Sequence, residues 1–208
     1  MTTKVQTELL AAGAAAGNLG AGSITTTMLA TDAVTTAKLL NANVTPAKLS
    51  QPLTQGATLA TTSGTEKDFA IPAWAKRIRM MLSGVSLSGT ALIRFRLGTS
   101  GGIVTSGYLG AGSVISSGAA SANQTAGFDI YTNVPSAAYV YHGAIDFTQL
   151  DATNNIWTAH GVFATSSVAW THTTAGVITL SGALTTVRIT TSNGTDTFDA
   201  GSVNIIYE

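Results

Sequence analysis

Cysteine is absent from the 208-residue chain. No disulfide framework, cysteine-ligated zinc or thiolate nucleophile can exist in it. Charge is scarce as well: ten Lys and Arg balance ten Asp and Glu, 10% of residues against about a quarter in an average protein. Phosphate recognition needs clustered cations, so this neutral balance argues against a nucleic-acid partner. Long apolar runs are also missing. No stretch approaches the about eighteen residues of a membrane-spanning helix, and alanine supplies much of the 45% hydrophobic content. Membrane insertion is not expected. The opening MTTKVQTELLAAGAAAGNLGAGS makes a poor secretory signal, because Glu8 interrupts it and Gly13 and Gly17 dilute its apolar centre. Without such a signal the Asn-x-Thr sequons at Asn43, Asn123 and Asn193 carry little weight.

What is present is a refrain. In ITTTMLATDAVTTAKLLNANVTPAKL, residues 24–49, the same phrase returns every ten positions. Ile24, Val34 and Val44 share one column, Thr25, Thr35 and Thr45 the next, and Leu29, Leu39 and Leu49 a third that runs back through Leu19 to Leu9. Apolar residues five apart line up neither on one helix stripe nor on one strand face. Each unit reads instead as a short capped helical turn. In VTPAKL, Thr45 is the N-cap and Pro46 the first helical residue, with Val44 and Leu49 forming a hydrophobic staple. One turn with two apolar side chains is far below the length that is stable in water. Residues 23–50 are therefore expected to order only when several chains wind together, through Leu19, Ile24, Leu29, Val34, Leu39, Val44 and Leu49. A linker with accidental spacing is the alternative.

From about Lys67 the pattern changes to period-two alternation between turn residues. In KRIRMML, Ile78, Met80 and Leu82 alternate with Arg77 and Arg79; in ALIRFRLG, Ile93, Phe95 and Leu97 alternate with Arg94 and Arg96. AAYVYHGAIDF, NIWTAHGVFA, GVITLSGAL, TTVRITTS and GSVNIIYE continue the series. About eight to ten antiparallel strands are expected, with no long helix after residue 50. Asn193-Gly194 is a hairpin-type signal between two of these runs. The predicted fold class is mainly β: an antiparallel β-sandwich, jelly-roll-like, at residues 67–208. An extended repetitive stalk precedes it, and residues 51–66 serve as a linker.

The Val-Thr-x-Ala-Lys-Leu repeats, a small-residue spacer and a compact β domain together resemble bacteriophage tail-fibre and virion-fibre proteins. The resemblance is carried by residues 24–49, with weaker support from FAIPAWAKRIRMML and FDAGSVNIIYE. It implies a homotrimer in the virion, assembled in the host cytoplasm. It also implies an N-terminal segment (residues 1–22) that docks on other virion proteins, and a head that meets host surface polysaccharide or protein. A capsid-decoration, head-fibre or collar protein without receptor binding is the alternative, favoured by the short chain.

Candidate chemistry is sparse. His142, His160 and His172 have no second ligand at zinc-type spacing, so no metal site is expected. Arg77, Arg79, Arg94 and Arg96 would make one anion-binding patch if their strands were neighbours; a solvated outer face, or ion pairs with an adjacent subunit, competes with that reading. Tyr108 and Tyr131, near strand ends, are candidates for stacking on a sugar. Asp129, Asp146, Asp151, Asp196 and Asp199 show no spacing that singles out a glycosidase pair. There is no nucleophile elbow and no phosphate-cradling loop. Neither catalysis nor a cofactor is expected.

Overall fold

Alternation of apolar and polar side chains is the strongest local signal after residue 66, and it shapes the computed structural model, which describes residues 51–208. Fourteen strands form and no helix does among the described residues. In chain order they are β1 (Thr54–Gln55), β2 (Leu59–Ala60), β3 (Glu66–Ala70), β4 (Arg77–Leu87), β5 (Ile93–Thr99), β6 (Gly102–Ile103) and β7 (Leu109–Ile115). There follow β8 (Ala119–Gln124), β9 (Phe128–Asp129), β10 (Tyr141–Asp151), β11 (Ile156–Thr165), β12 (Trp170–Thr179), β13 (Thr186–Thr191) and β14 (Phe198–Tyr207). All pairings are antiparallel. The larger sheet has nine strands in the order β1-β14-β4-β10-β11-β12-β7-β8, with β2 also on β14. The smaller has five, β3-β13-β5-β6, with β9 on β5.

One core lies between the two sheets. Ile78 and Met80 from β4, Ile145 and Phe147 from β10, and Trp157 and Phe163 from β11 turn inward and are fully buried. Phe95, Leu97, Val187 and Ile189 meet them from the smaller sheet. Phe95 stacks on Phe163 with ring centroids 5.6 Å apart, and Phe128 lies 6.3 Å from Phe147. Each such ring, taken out of water, contributes about 1.5–3 kcal/mol. The outward partners on the same strands, Arg77 and Arg79 on β4, stay exposed.

Two sequence expectations differ from the structure. Asn193-Gly194 does not close a hairpin, because β13 belongs to the smaller sheet and β14 to the larger. The turn is local: the Asn193 side-chain oxygen accepts the amides of Thr195 and Asp196, both at 3.0 Å, and Gly194 takes a positive φ of 71°. The chain then crosses between sheets. Residues 51–66, expected as a linker, instead contribute β1 and β2, which pair along β14. The docking segment 1–22 and the stalk 23–50, with Leu19, Ile24, Leu29, Val34, Leu39, Val44 and Leu49, lie outside the described residues.

The larger sheet extends past the smaller one at β12, β7 and β8. There the inner face is covered by the chain that follows β9. That segment has carbonyls but no strand partner, and buried carbonyls need donors. Side chains supply them: His172 donates Nδ1 to the Tyr131 carbonyl at 2.8 Å, and at the end of β9 itself Gln124 donates Nε2 to the Asp129 carbonyl at 2.9 Å. Thr174 in turn donates to the Gln124 side-chain oxygen at 2.7 Å. Gly112 makes room for this layer, since a Cβ there would lie 2.8 Å from the Tyr131 Cβ.

Candidate functional site

A row of charged side chains crosses one end of the outer face of the larger sheet. In register across four strands, Ile206 of β14 lies beside Arg79 of β4, which lies beside Asp146 of β10, which lies beside His160 of β11. Arg77 pairs with Thr148 one step along. Because alternation sends Ile78 and Met80 into the core, both arginines must emerge on the same outer side, two residues apart.

Arg77, Arg79, Asp146 and Ile206 border an open basin of about 170 Å³, completed by Leu53, Tyr207 and Glu208. Arg79 Nη1 donates to Asp146 Oδ2 at 2.8 Å, and Arg77 Nη1 donates to Glu208 Oε1 at 3.1 Å. His160 Nε2 is 3.7 Å from the same Asp146 oxygen. The two arginines engage these carboxylates through one nitrogen each. The Asp146 side chain is 9% exposed and its Oδ1 has no hydrogen-bond partner among the described residues. A buried acceptor left unmatched costs about 1–3 kcal/mol. Tyr207 pairs with inward Ile78, and its ring packs against the core and Trp74, with ring centroids 5.5 Å apart.

The other sequence candidates lie elsewhere. β4 and β5 are in different sheets, so the four arginines do not make one patch. Arg94 is half-buried and locked to Asp129 by two parallel bonds, Nε–Oδ1 at 2.7 Å and Nη2–Oδ2 at 2.8 Å. That hydrogen-bonded carboxylate raises the Arg94 pKa further above its ordinary value. Arg96 donates Nε to the Ala126 carbonyl at 2.8 Å and faces Arg188 across the β5–β13 pair. Burial, with the neighbouring Arg94 cation adding to it, lowers the Arg96 pKa. Arg188 holds both oxygens of Asp68 at 2.7 Å and also Glu66. Charge on the smaller sheet is thus largely consumed internally.

Tyr108 is not a stacking platform. It is fully buried, accepts the Leu97 amide at 2.9 Å and donates to the Val104 carbonyl at 3.1 Å. Burial pushes its phenol up to about 12. Tyr131 is half-buried, and its carbonyl serves His172.

Of the histidines, His142 accepts the Gly84 amide at 3.1 Å and contacts Ser166, and His172 lies inside the fold. Among the described residues no group of His, Asp and Glu is arranged to hold a metal ion. No candidate acid pair assembles in a cleft: Asp129 and Asp146 are held by arginines, and Asp199 by Ser86. Asp196 accepts the Ala91 amide at 2.7 Å.

Sequence reasoning singled out Arg77 and Arg79 but missed their setting. Asp146 appeared only among unpaired carboxylates, and Leu53 lay in the supposed linker. The available signal was the outward position of Asp146 between inward Ile145 and Phe147, a charge in the middle of a long strand. No family model, curated protein or solved structure matches the chain.

Proposed function

We propose that this protein is a bacteriophage virion fibre protein. It acts as a homotrimer, docks through residues 1–22, winds its chains together along residues 23–50 and presents the β domain for adhesion to the host surface. Three weak head sites on one stalk would gain avidity without any single strong contact. The observation that carries the adhesive role is the basin at Arg77, Arg79 and Asp146. It combines exposed cations with the exposed apolar side chain of Leu53.

The head is read as a jelly-roll-like β-sandwich, and strand order supports that. With its eight strands numbered along the chain, a jelly roll has sheets ordered 1-8-3-6 and 2-7-4-5. Here β3-β13-β5-β9 follows the first order. β4-(β10, β11, β12)-β7-β8 follows the second, with a three-stranded meander in place of strand seven. Three antiparallel strands leave the chain running in the same direction as one would.

A second reading, capsid decoration without a receptor, draws on a different surface. The outer faces of β7, β8 and β12 carry no charged side chain, and Leu109 and Ile115 stand exposed there. Such a face suits a protein contact.

Solution mass tests the assembly. The full chain should sediment as three copies. Leu39→Asp should sediment as one, because it forces three carboxylates into a narrow apolar bundle. A monomeric wild type, or an unchanged mass for the variant, would refute the interwound stalk. Adsorption of the protein to host cells, with competition against infection, would support adhesion. Binding to empty capsids and not to cells would favour decoration.

A further inference from the structure

We propose that the outer face of β11, β12, β7 and β8 is where the three heads of one trimer pack together, so that its occupant is a second copy of this chain. The assignment rests on the homotrimeric reading of the stalk. Charge distribution comes first. Residues 97–128 and 152–187 contain no Asp, Glu, Lys or Arg; all ten cations and all ten anions lie outside them. The fold lays the strands of both stretches side by side, in the order β11-β12-β7-β8. Across them Val162, Thr173, Ser113 and Ser121 form one row in register. Depletion of charge is what marks the centre of a protein interface. The outer face of the smaller sheet is the opposite, with Asp68, Arg188 and Arg96 sharing a row.

The face is also cheap to dry. Leu109, Ile115 and Val162 stand 71%, 61% and 58% exposed on it, large apolar side chains with no charge beside them. At its centre the Ser113 and Thr173 hydroxyls bond each other at 2.7 Å, so they leave water with a partner already in place. β8 adds an open edge, the last strand of its sheet, six residues long and without charge or proline. The other edge strands are two residues long (β1, β2, β6 and β9) or, in β3, carry Glu66, Lys67 and Asp68. An unguarded edge beside an apolar face invites pairing unless the assembly covers it.

Area selects the occupant. A block four strands wide and as long as the seven residues of β7 covers roughly 19 by 23 Å, about 440 Å². A stable complex between free partners takes about 800 Å² from each. The face is therefore small for a partner that arrives from solution, and suited to heads that are already tethered. Residues 23–50 run into β1, a strand of this same sheet, and short tethers hold their modules at effective concentrations of order millimolar. A net charge of zero adds no repulsion between the copies.

Because the chain has no cysteine, the reactivity of a single introduced thiol reports on one position. Ala111→Cys and Ser121→Cys each place a thiol on the face, and Ala70→Cys places one on the outer side of the smaller sheet; all three positions are exposed in a lone head. In the full-length trimer both face thiols should react with a maleimide at least about tenfold more slowly than Ala70→Cys, since the heads must part first. Leu39→Asp, which leaves single copies, should restore fast reaction. So should Ile115→Lys, which forces a cation into the contact; residue 115 is exposed in a lone head, so lysine there leaves the fold itself undisturbed. Face thiols as reactive as Ala70→Cys in a trimer, or slow thiols that Ile115→Lys does not release, would overturn head packing and leave the wound stalk standing. A Leu39→Asp variant that stays trimeric with its face thiols still slow would do the reverse. A monomeric wild type would remove both. Thiols that stay slow in monomeric Leu39→Asp, or slow down only when empty capsids are added, would reveal a different occupant and overturn the assignment.

Discussion

Asp129→Ala should be among the most damaging single changes on the surface of the smaller sheet. Arg94 and Asp129 are 16% and 9% exposed, and two near-parallel hydrogen bonds at 2.7 and 2.8 Å join them. Removing the carboxylate strands a guanidinium whose remaining side-chain contact is a 3.5 Å reach to the Ser192 carbonyl. Breaking a fully buried pair costs about 3–5 kcal/mol. Arg94 keeps an opening to water, which lowers the expectation to roughly 2–4 kcal/mol. Asp68→Ala is the internal control. Asp68 is 44% exposed and its arginine retains Glu66, so the loss should stay within about 1 kcal/mol. Urea unfolding followed by the fluorescence of buried Trp157 measures both. A double variant, Arg94→Met with Asp129→Leu, should recover most of the loss, since the cost lies in the unmatched charge and not in the missing attraction. Equal destabilisation by Asp129→Ala and Asp68→Ala would refute the reasoning, as would a double variant no more stable than the single.

Acid should act through His172. Burial lowers its pKa from the ordinary 6.5, outweighing the hydrogen bond to the Tyr131 carbonyl, and its Nε2 has no partner among the described residues. The folded state therefore binds this proton less readily than the unfolded one. Its contribution is complete above about pH 6.5 and is lost as pH falls toward the lowered folded value, at no more than about 1.4 kcal/mol per pH unit. His172→Gln should flatten that part of the stability profile, measured by urea midpoints between pH 7.5 and 5 (roughly the range over which a histidine titrates). Tyr108→Phe should leave the fold intact yet cost about 1–3 kcal/mol, because it unmatches the Leu97 amide and the Val104 carbonyl together; an unchanged urea midpoint would contradict that.

Strand placement was legible because burial on one side enforces a period of two. Ile78, Met80 and Leu82 against Arg77 and Arg79 is a pattern only a strand with one face inward can satisfy, and the same holds for Ile93, Phe95 and Leu97. Ten strands of five residues or more form, at the upper end of the expected eight to ten. Pairing was not legible, since alternation says which face is inward and nothing about which strand lies beside it. That is why Arg94 and Arg96 seemed able to join Arg77 and Arg79, and why Asn193-Gly194 read as a hairpin. Tyr108 misled for a related reason: its neighbours Gly107 and Gly110 signal a turn, but the phenol is drawn inward by two backbone partners that the linear sequence does not reveal. The basin was half legible. Its cations stand out, whereas Leu53 and Asp146 join them only through the pairing of β1 and β10 with their neighbours.

The unequal widths of the two sheets account for the unusual chemistry of the interior. Where the smaller sheet is present, the core is aromatic and aliphatic. Where it runs out, from the end of β9 onward, the covering layer becomes irregular chain, and the carbonyls of Asp129, the last residue of β9, and Tyr131 find donors inside. The inward positions of β8 and β12 that a wider second sheet would fill with apolar residues are instead Gln124, His172 and Thr174, linked in sequence to those carbonyls. Polar residues on an inward face therefore mark the boundary of the second sheet. The same boundary explains the sensitivity to acid, since the one inward-facing group that can take up a proton near neutrality sits where side chains substitute for a strand.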